Sequence, residues 1–151
     1  MLEEKIFSDY KEALKSKDSL RSSVLSFLRA ELKNVAMSKS RDLLDDADCI
    51  EVIKKQIKRR EDSIQQFRQG NRPDLADKEE KESLILKDYL PPQLSVADLS
   101  RIIEESITSL GASGLQDMGR VMKEVTSRTG ASADARQVSE IVKTRLTASE
   151  I

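Results

Sequence analysis

The 151-residue sequence contains no histidine, one cysteine (Cys49), five glycines and three prolines, and only 3% of its residues are aromatic. Without histidine, the usual general base near neutral pH and the commonest metal ligand are both missing, and Ser-His and Cys-His nucleophile pairs are impossible. A lone cysteine closes no internal disulfide; that points to a reducing compartment, and we expect a cytoplasmic protein. The glycines at 70, 111, 114, 119 and 130 never cluster into a phosphate-cradling loop, and neither G-x-x-x-x-G-K-[ST] nor G-x-G-x-x-G occurs. No window approaches the ~18 uncharged apolar residues of a membrane span. Met1-Leu2-Glu3-Glu4-Lys5 carries charge where a secretory signal needs an apolar run. These absences lead us to expect no targeting segment, no membrane partner, no metal, no cofactor and no catalytic residue. Carboxylate-only catalysis stays formally open, but with 27 acids nearly every carboxylate must be solvated surface.

What is present favours long exposed helices: charged residues make up 35%, with 26 Lys and Arg against 27 Asp and Glu. The expected fold class is all-α, an N-terminal four-helix domain over 1–91 followed by a small three-helix domain over 92–151. Leu2, Ile6, Tyr10, Ala13 and Leu14 recur at helical spacing, as do Leu20, Val24, Leu28, Leu32 and Val35, with Asp18 as the N-cap between the two runs. Asp45-x-x-Asp48 resembles a capping box and opens a helix with Ile53, Ile57, Ile64 and Phe67 inward, stopped at Gly70. Pro73 suits the first turn of a fourth helix running through Leu75, Leu86 and Leu90 until Pro91-Pro92. Beyond it, Ser95-x-x-Asp98 resembles a second capping box, leading into Leu99, Ile102, Ile103, Ile107 and Leu110 with a stop at Gly111. Two shorter helices hold Met118, Val121, Met122 and Val125, then Val138, Ile141, Val142 and Leu146, separated by Gly130. All five aromatics precede Pro91, and the charges are balanced in both halves, 19 basic and 19 acidic in 1–91, 7 and 8 in 92–151. Neither half is an electrostatic magnet for nucleic acid.

Some residues break these patterns. Winding the third helix at about 100° per residue puts Arg60 inside the apolar stripe, and Glu31, Glu79 and Glu82 are similarly placed on the second and fourth helices. An arginine there needs an anion, so we expect a partly buried ion pair with Glu31, Glu79 or Glu82 that tolerates an apolar isostere better than loss of Arg60 alone; a cleft arginine awaiting a ligand is the alternative. Lys54, Lys55 and Lys58 share a face that could contact phosphates, although Glu51 and Asp62 offer ordinary pairing there. Gly119 falls inside the sixth helix, where it costs about 1 kcal/mol unless a neighbouring helix or a ligand approaches the backbone. Arg120 and Lys123 project away from the Met118 and Met122 face, which reads as core filler, and Arg136 and Lys143 form an i, i+7 pair on the last helix. Ser22-Ser23 has neither Gly-rich flanks nor a base and reads as helix surface.

Three stretches carry a resemblance: Lys58-Arg59-Arg60-Glu61-Asp62-Ser63 through Asp74-Leu75-Ala76-Asp77-Lys78-Glu79-Glu80; Tyr89-Leu90-Pro91-Pro92-Gln93-Leu94-Ser95; and Asp117-Met118-Gly119-Arg120-Val121-Met122-Lys123 to Gly130-Ala131-Ser132-Ala133-Asp134. The chain resembles the GatB/YqeY family, as a YqeY-like protein, over essentially its whole length, departing at Ser132, where the family more often has a basic residue. The resemblance implies that residues from about 95 to 148 are similar to the tail domain of the B subunit of glutamine-dependent aminoacyl-tRNA amidotransferases, which engages the outer body of tRNA. It also implies association with carbon–nitrogen ligase activity using glutamine as amido-N-donor. Nothing here resembles the catalytic domain of that subunit or the serine amidase of its partner, so whether the chain takes part in an enzyme depends on another polypeptide.

Two functions follow as expectations. The first is a tRNA-associated accessory module in translation, recognising RNA shape and backbone through Arg120, Lys123, Arg136 and Lys143. The second is a helical interaction module that docks on an amidotransferase or another translation protein without touching RNA. Base stacking on aromatic platforms is not expected in 92–151, which has no aromatic residue.

Overall fold

The computed structural model describes residues 1–148. Among them the chain is all-helical, with seven α-helices, two 3₁₀ turns (Leu115–Asp117 and Gly130–Ser132) and no strand. The helices are α1 (Leu2–Lys15), α2 (Ser19–Ser38), α3 (Asp46–Gln69), α4 (Pro73–Lys87), α5 (Val96–Leu110), α6 (Met118–Thr129) and α7 (Ala135–Ala148).

Local chemistry sets most of the ends. Asp18 accepts the Arg21 N–H at 3.1 Å, Asp45 the Asp48 N–H at 2.8 Å, and Ser95 Oγ the Asp98 N–H at 3.1 Å, each satisfying an orphan donor of a first turn. Pro73 opens α4, where its missing N–H leaves nothing unpaired. Gly111 ends α5 in the left-handed region at φ 63°. The stop of α3 differs from expectation in detail: Gly70 stays at φ −82° and Asn71, at φ 58°, reverses the chain. Asparagine tolerates that region because its short polar side chain can bond locally. The fourth helix is shorter than expected. It ends at Lys87, and Tyr89 and Leu90 donate instead to the carbonyls of Leu86 and Lys87 in tight turns. The residue before a proline is disfavoured in the helical region, which places a helix stop ahead of Pro91.

The chain divides into two compact units, Met1–Leu90 and Pro91–Ile151. In the first, α3 packs chiefly on α4 and α1 on α2. Its core contains Ile6, Leu25, Leu28, Leu32, Ile53 and Leu86. Tyr89 Oη donates to Asp9 at 2.6 Å, tying α1 to the end of the unit. Burial, then the Asp9 carboxylate, raises the Tyr89 phenol above its usual range. Cys49 is buried in the same core, and burial pushes its thiol up to about 11, aided by the nearby carboxylates of Glu3 and Asp46. A thiol held protonated this way is structural and inert. In the second unit, α5, α6 and α7 enclose Leu99, Ile103, Val121, Val125, Val138, Val142 and Leu146. Its first residues are stitched to a 3₁₀ turn: the Leu94 N–H donates to the Ser132 carbonyl at 2.9 Å, and Gln93 Nε2 to the Ala131 carbonyl at 3.0 Å.

Candidate functional site

The three-helix unit presents its basic residues outward because its apolar residues recur every four positions. On α6, Val121, Val125 and Thr129 are buried. Arg120 and Lys123 therefore lie about 140–160° around the helix from that strip. Both are exposed, as are Arg136 and Lys143, which share the flank of α7 beside the buried Val138, Val142 and Leu146. Exposure does not make all of them available. Arg120 pairs with Asp117 at 2.7 Å, Arg101 with Glu105 at 3.2 Å, Arg128 with Glu105 at 2.7 Å and Arg145 with Glu104 at 2.6 Å. Lys123 and Lys143 enter no ion pair among the described residues. Lys54, Lys55 and Lys58 belong to the other unit, where Lys55 pairs with Glu51 at 3.6 Å, Lys54 is half-buried and Lys58 exposed.

Around Asp117 the motif residues have structural tasks. Its carboxylate accepts the Ser113 N–H at 3.0 Å and holds Arg120, and those two contacts, the backbone donor first, lower its pKa. Met118 and Met122 are half-buried and pack on the Val121–Val125 core. A group whose pKa is depressed by folding stabilises the fold above its unfolded value and loses that contribution as pH falls through the folded value. Glu105, lowered by Arg128 and then Arg101, adds to the same acid limb. The expected result is a fall in Tm between about pH 5 and pH 2 that Asp117→Asn makes shallower, read by calorimetry across that range.

Gly119 is not the interior glycine expected. It is the second residue of α6, in its first turn, and a Cβ built on it meets nothing within 4 Å. No neighbouring helix therefore approaches it among the described residues. Gly119→Ala is expected to stabilise the chain by about 0.5 kcal/mol by reducing the freedom of the unfolded state, seen as a higher urea midpoint. A drop in RNA affinity alongside that gain would mean that a ligand uses the open space.

In the first unit Arg60 pairs through Nη1 with Glu79 at 3.1 Å and with Glu82. Glu31 is engaged elsewhere, by Gln56 Nε2 at 2.6 Å and Arg59 Nη1 at 3.2 Å. Gln56 is a residue that sequence reasoning missed, although it signalled itself as Arg60 did, a polar side chain between Ile53 and Ile57. Among the described residues no group of three or more Cys, Asp or Glu is arranged to hold a metal ion. None of the helices there is long and apolar enough to cross a membrane.

Residues 3–146 match the family described as Yqey-like protein. The chain belongs to that family. Among curated relatives of this Yqey-like chain, the protein named "Altered inheritance of mitochondria protein 41, mitochondrial" of Lachancea thermotolerans is 34% identical over 104 residues, 68% of this chain and 56% of that protein. The protein of the same name from Pyrenophora tritici-repentis is 27% identical over 139 residues, 90% of this chain and 76% of that protein. The chain thus spans little more than half the length of the first of these relatives. Their names overturn the cytoplasmic expectation, pointing to mitochondria instead. The expectation rested on one cysteine, and an unpaired thiol marks a reducing interior without saying which one.

Proposed function

We propose that the chain is a non-catalytic, tRNA-associated accessory module with two domains, the second acting as the amidotransferase tail does. The observation that supports this is the pair Lys123 and Lys143, without an ion-pair partner among the described residues and exposed on a three-helix unit of tail-like sequence. Arg120 and Arg136 border them and would add phosphate contacts where RNA outcompetes carboxylates for the guanidinium. Carbon–nitrogen ligase chemistry with glutamine as donor then resides in another polypeptide, and this chain contributes recognition.

The same geometry sets the size of the effect. Four candidate contacts at most, each worth roughly −0.7 to −0.9 in the slope of log affinity against log salt, predict a shallow slope of about −2 to −4. Titrating the full chain with total tRNA across a salt series tests this. Lys123→Glu with Lys143→Glu is expected to weaken binding and to reduce the slope by about 2; unchanged affinity rejects the reading.

Protein docking is the second reading, favoured by a groove of roughly 480 Å³ between α1 and α2 at whose edge Phe7, Met37 and Leu43 are exposed. Charged side chains, among them Glu3, Glu4, Arg29 and Lys33, rim these apolar ones, the mixed character of an interaction surface. Recovery of one translation protein with the chain after nuclease treatment supports docking, and nuclease-sensitive recovery returns the weight to RNA.

A further inference from the structure

Six of the seven arginines of Met1–Leu90 pair with a carboxylate, and Arg29, which lines the groove between α1 and α2, does not. Arg29 is half-buried, and none of its N–H donors meets a protein acceptor among the described residues. Two rings hold it instead: its Cζ lies 4.2 Å from the centroid of Phe7 and 4.8 Å from that of Tyr10. A guanidinium seated on aromatic faces is fixed in place yet keeps N–H donors for a partner. Lys11 Nζ lies 4.1 Å from the same Phe7 centroid and has no ion pair among the described residues either. Two like charges thus share one ring, within a Debye length of each other, and a carboxylate placed there would relieve their repulsion.

The rest of the groove decides what kind of anion fits. Leu32 and Ala36 are buried along it, and Phe7, Met37 and Leu43 stand exposed at its edge, so the incoming group needs an apolar part. The charge of the lining is mixed. Glu3 accepts the Leu44 N–H at 2.8 Å and Arg41 pairs with Asp48 at 3.2 Å, which leaves Arg29 and Lys33 against Glu4 and Asp42. Arg29 and the two acids stand at opposite ends. The Glu3–Leu44 bond brings Asp42 to the start of α1, beside Glu4, whereas Arg29 reaches Tyr10, about two turns further along that helix. A phosphate backbone or an anionic bilayer would carry its charge to Glu4 and Asp42 as well as to Arg29, against like-charge repulsion. A protein segment can bring one carboxylate to Arg29 and set apolar or basic side chains elsewhere.

We propose that this groove docks a segment of a partner protein that presents an apolar side chain with a carboxylate about one helical turn away, the carboxylate pairing with Arg29. The apolar side chain enters over Leu32 and Ala36, between Phe7 and Met37. The carboxylate takes the free N–H donors of Arg29 in charge-assisted hydrogen bonds. A basic residue on the other side of the anchor meets Glu4 or Asp42. This partner chemistry rests on the protein-docking reading, and it concerns Met1–Leu90 whatever the second unit does with RNA.

The test is an NMR titration of the ¹⁵N-labelled full chain, following the backbone amides of Phe7, Arg29 and Leu43. The probe is an alanine-rich helical peptide with a central leucine, a glutamate one turn to one side and a lysine one turn to the other, made in both chain directions. A matching peptide carries glutamine in place of the glutamate. Saturable shifts are expected, with the better glutamate peptide about fivefold tighter than its glutamine counterpart, as one partly exposed ion pair allows. Arg29→Gln, checked for retained helicity by circular dichroism, is expected to erase that preference. Met37→Ser, at an exposed position, is expected to weaken both peptides and keep it. Equal binding of the two peptides, a preference that survives in Arg29→Gln, no saturable shift with either, or tighter binding of phosphatidylcholine–phosphatidylserine vesicles overturns the assignment. Failure of the docking reading is distinct, since no protein is then recovered with the chain after nuclease treatment. A translation protein recovered equally well by Arg29→Gln leaves docking standing and overturns the carboxylate at Arg29.

Discussion

Replacing Arg60 with alanine is expected to destabilise the Met1–Leu90 unit by about 3 kcal/mol, the low end for removing one partner of a buried ionic cluster. The Arg60 side chain is only 15% exposed, Glu82 12% and Glu79 24%, so the carboxylates left behind cannot be rehydrated freely. Two glutamates on one guanidinium also change what an apolar replacement does. Arg60→Met fills the space but leaves Glu79 and Glu82 with only the exposed Lys78, 3.9 Å from Glu82, to offset them, so it is expected to cost nearly as much as alanine. Only Arg60→Met combined with Glu79→Gln and Glu82→Leu is expected to return to within about 1 kcal/mol of the parent, since exchanging an entire buried cluster for apolar groups is often close to neutral. Urea midpoints of the three variants decide it. A loss below about 1 kcal/mol for Arg60→Ala would mean that the cluster behaves like a surface ion pair.

The sequence announced most helix ends because caps act over three or four residues: Asp18, Asp45, Ser95, Pro73 and Gly111 each stand where a local donor or a backbone angle requires them. The end of α4 was less legible, since an apolar residue at the right spacing, Leu90, conceals the constraint that Pro91 imposes upstream. Periodicity also showed that Arg60 and Glu31 face inward without showing whom they meet. Glu31 met Gln56 and Arg59, a choice made by how α2 and α3 pack, and periodicity within one helix carries no record of that. The basic candidates divide on the same principle. That Arg120, Lys123, Arg136 and Lys143 are exposed could be read from helical spacing, but the pairing of Arg128 with Glu105 and of Arg145 with Glu104, which confines the neighbouring positive charge, joins residues more than twenty positions apart.

Ile103→Ala is expected to unfold the second unit and leave the first intact. Ile103 is fully buried and packs in a cluster with Leu99, Val121, Val125 and Val142. Truncating such a residue costs about 2–5 kcal/mol in lost transfer energy and cavity. At roughly 0.05–0.15 kcal/mol per residue, some sixty residues hold only about 3–9 kcal/mol in all, so this one change removes much of the unit's stability. The core of Met1–Leu90 uses none of these side chains, running instead from Ile6 to Tyr89. Hydrogen exchange is therefore expected to show protection collapsing across α5, α6 and α7 while the amides of α2 and α3 remain protected. Simultaneous loss in both units would show that they fold as one cooperative block. If Lys123 and Lys143 carry RNA recognition, tRNA affinity disappears with the helices that hold them.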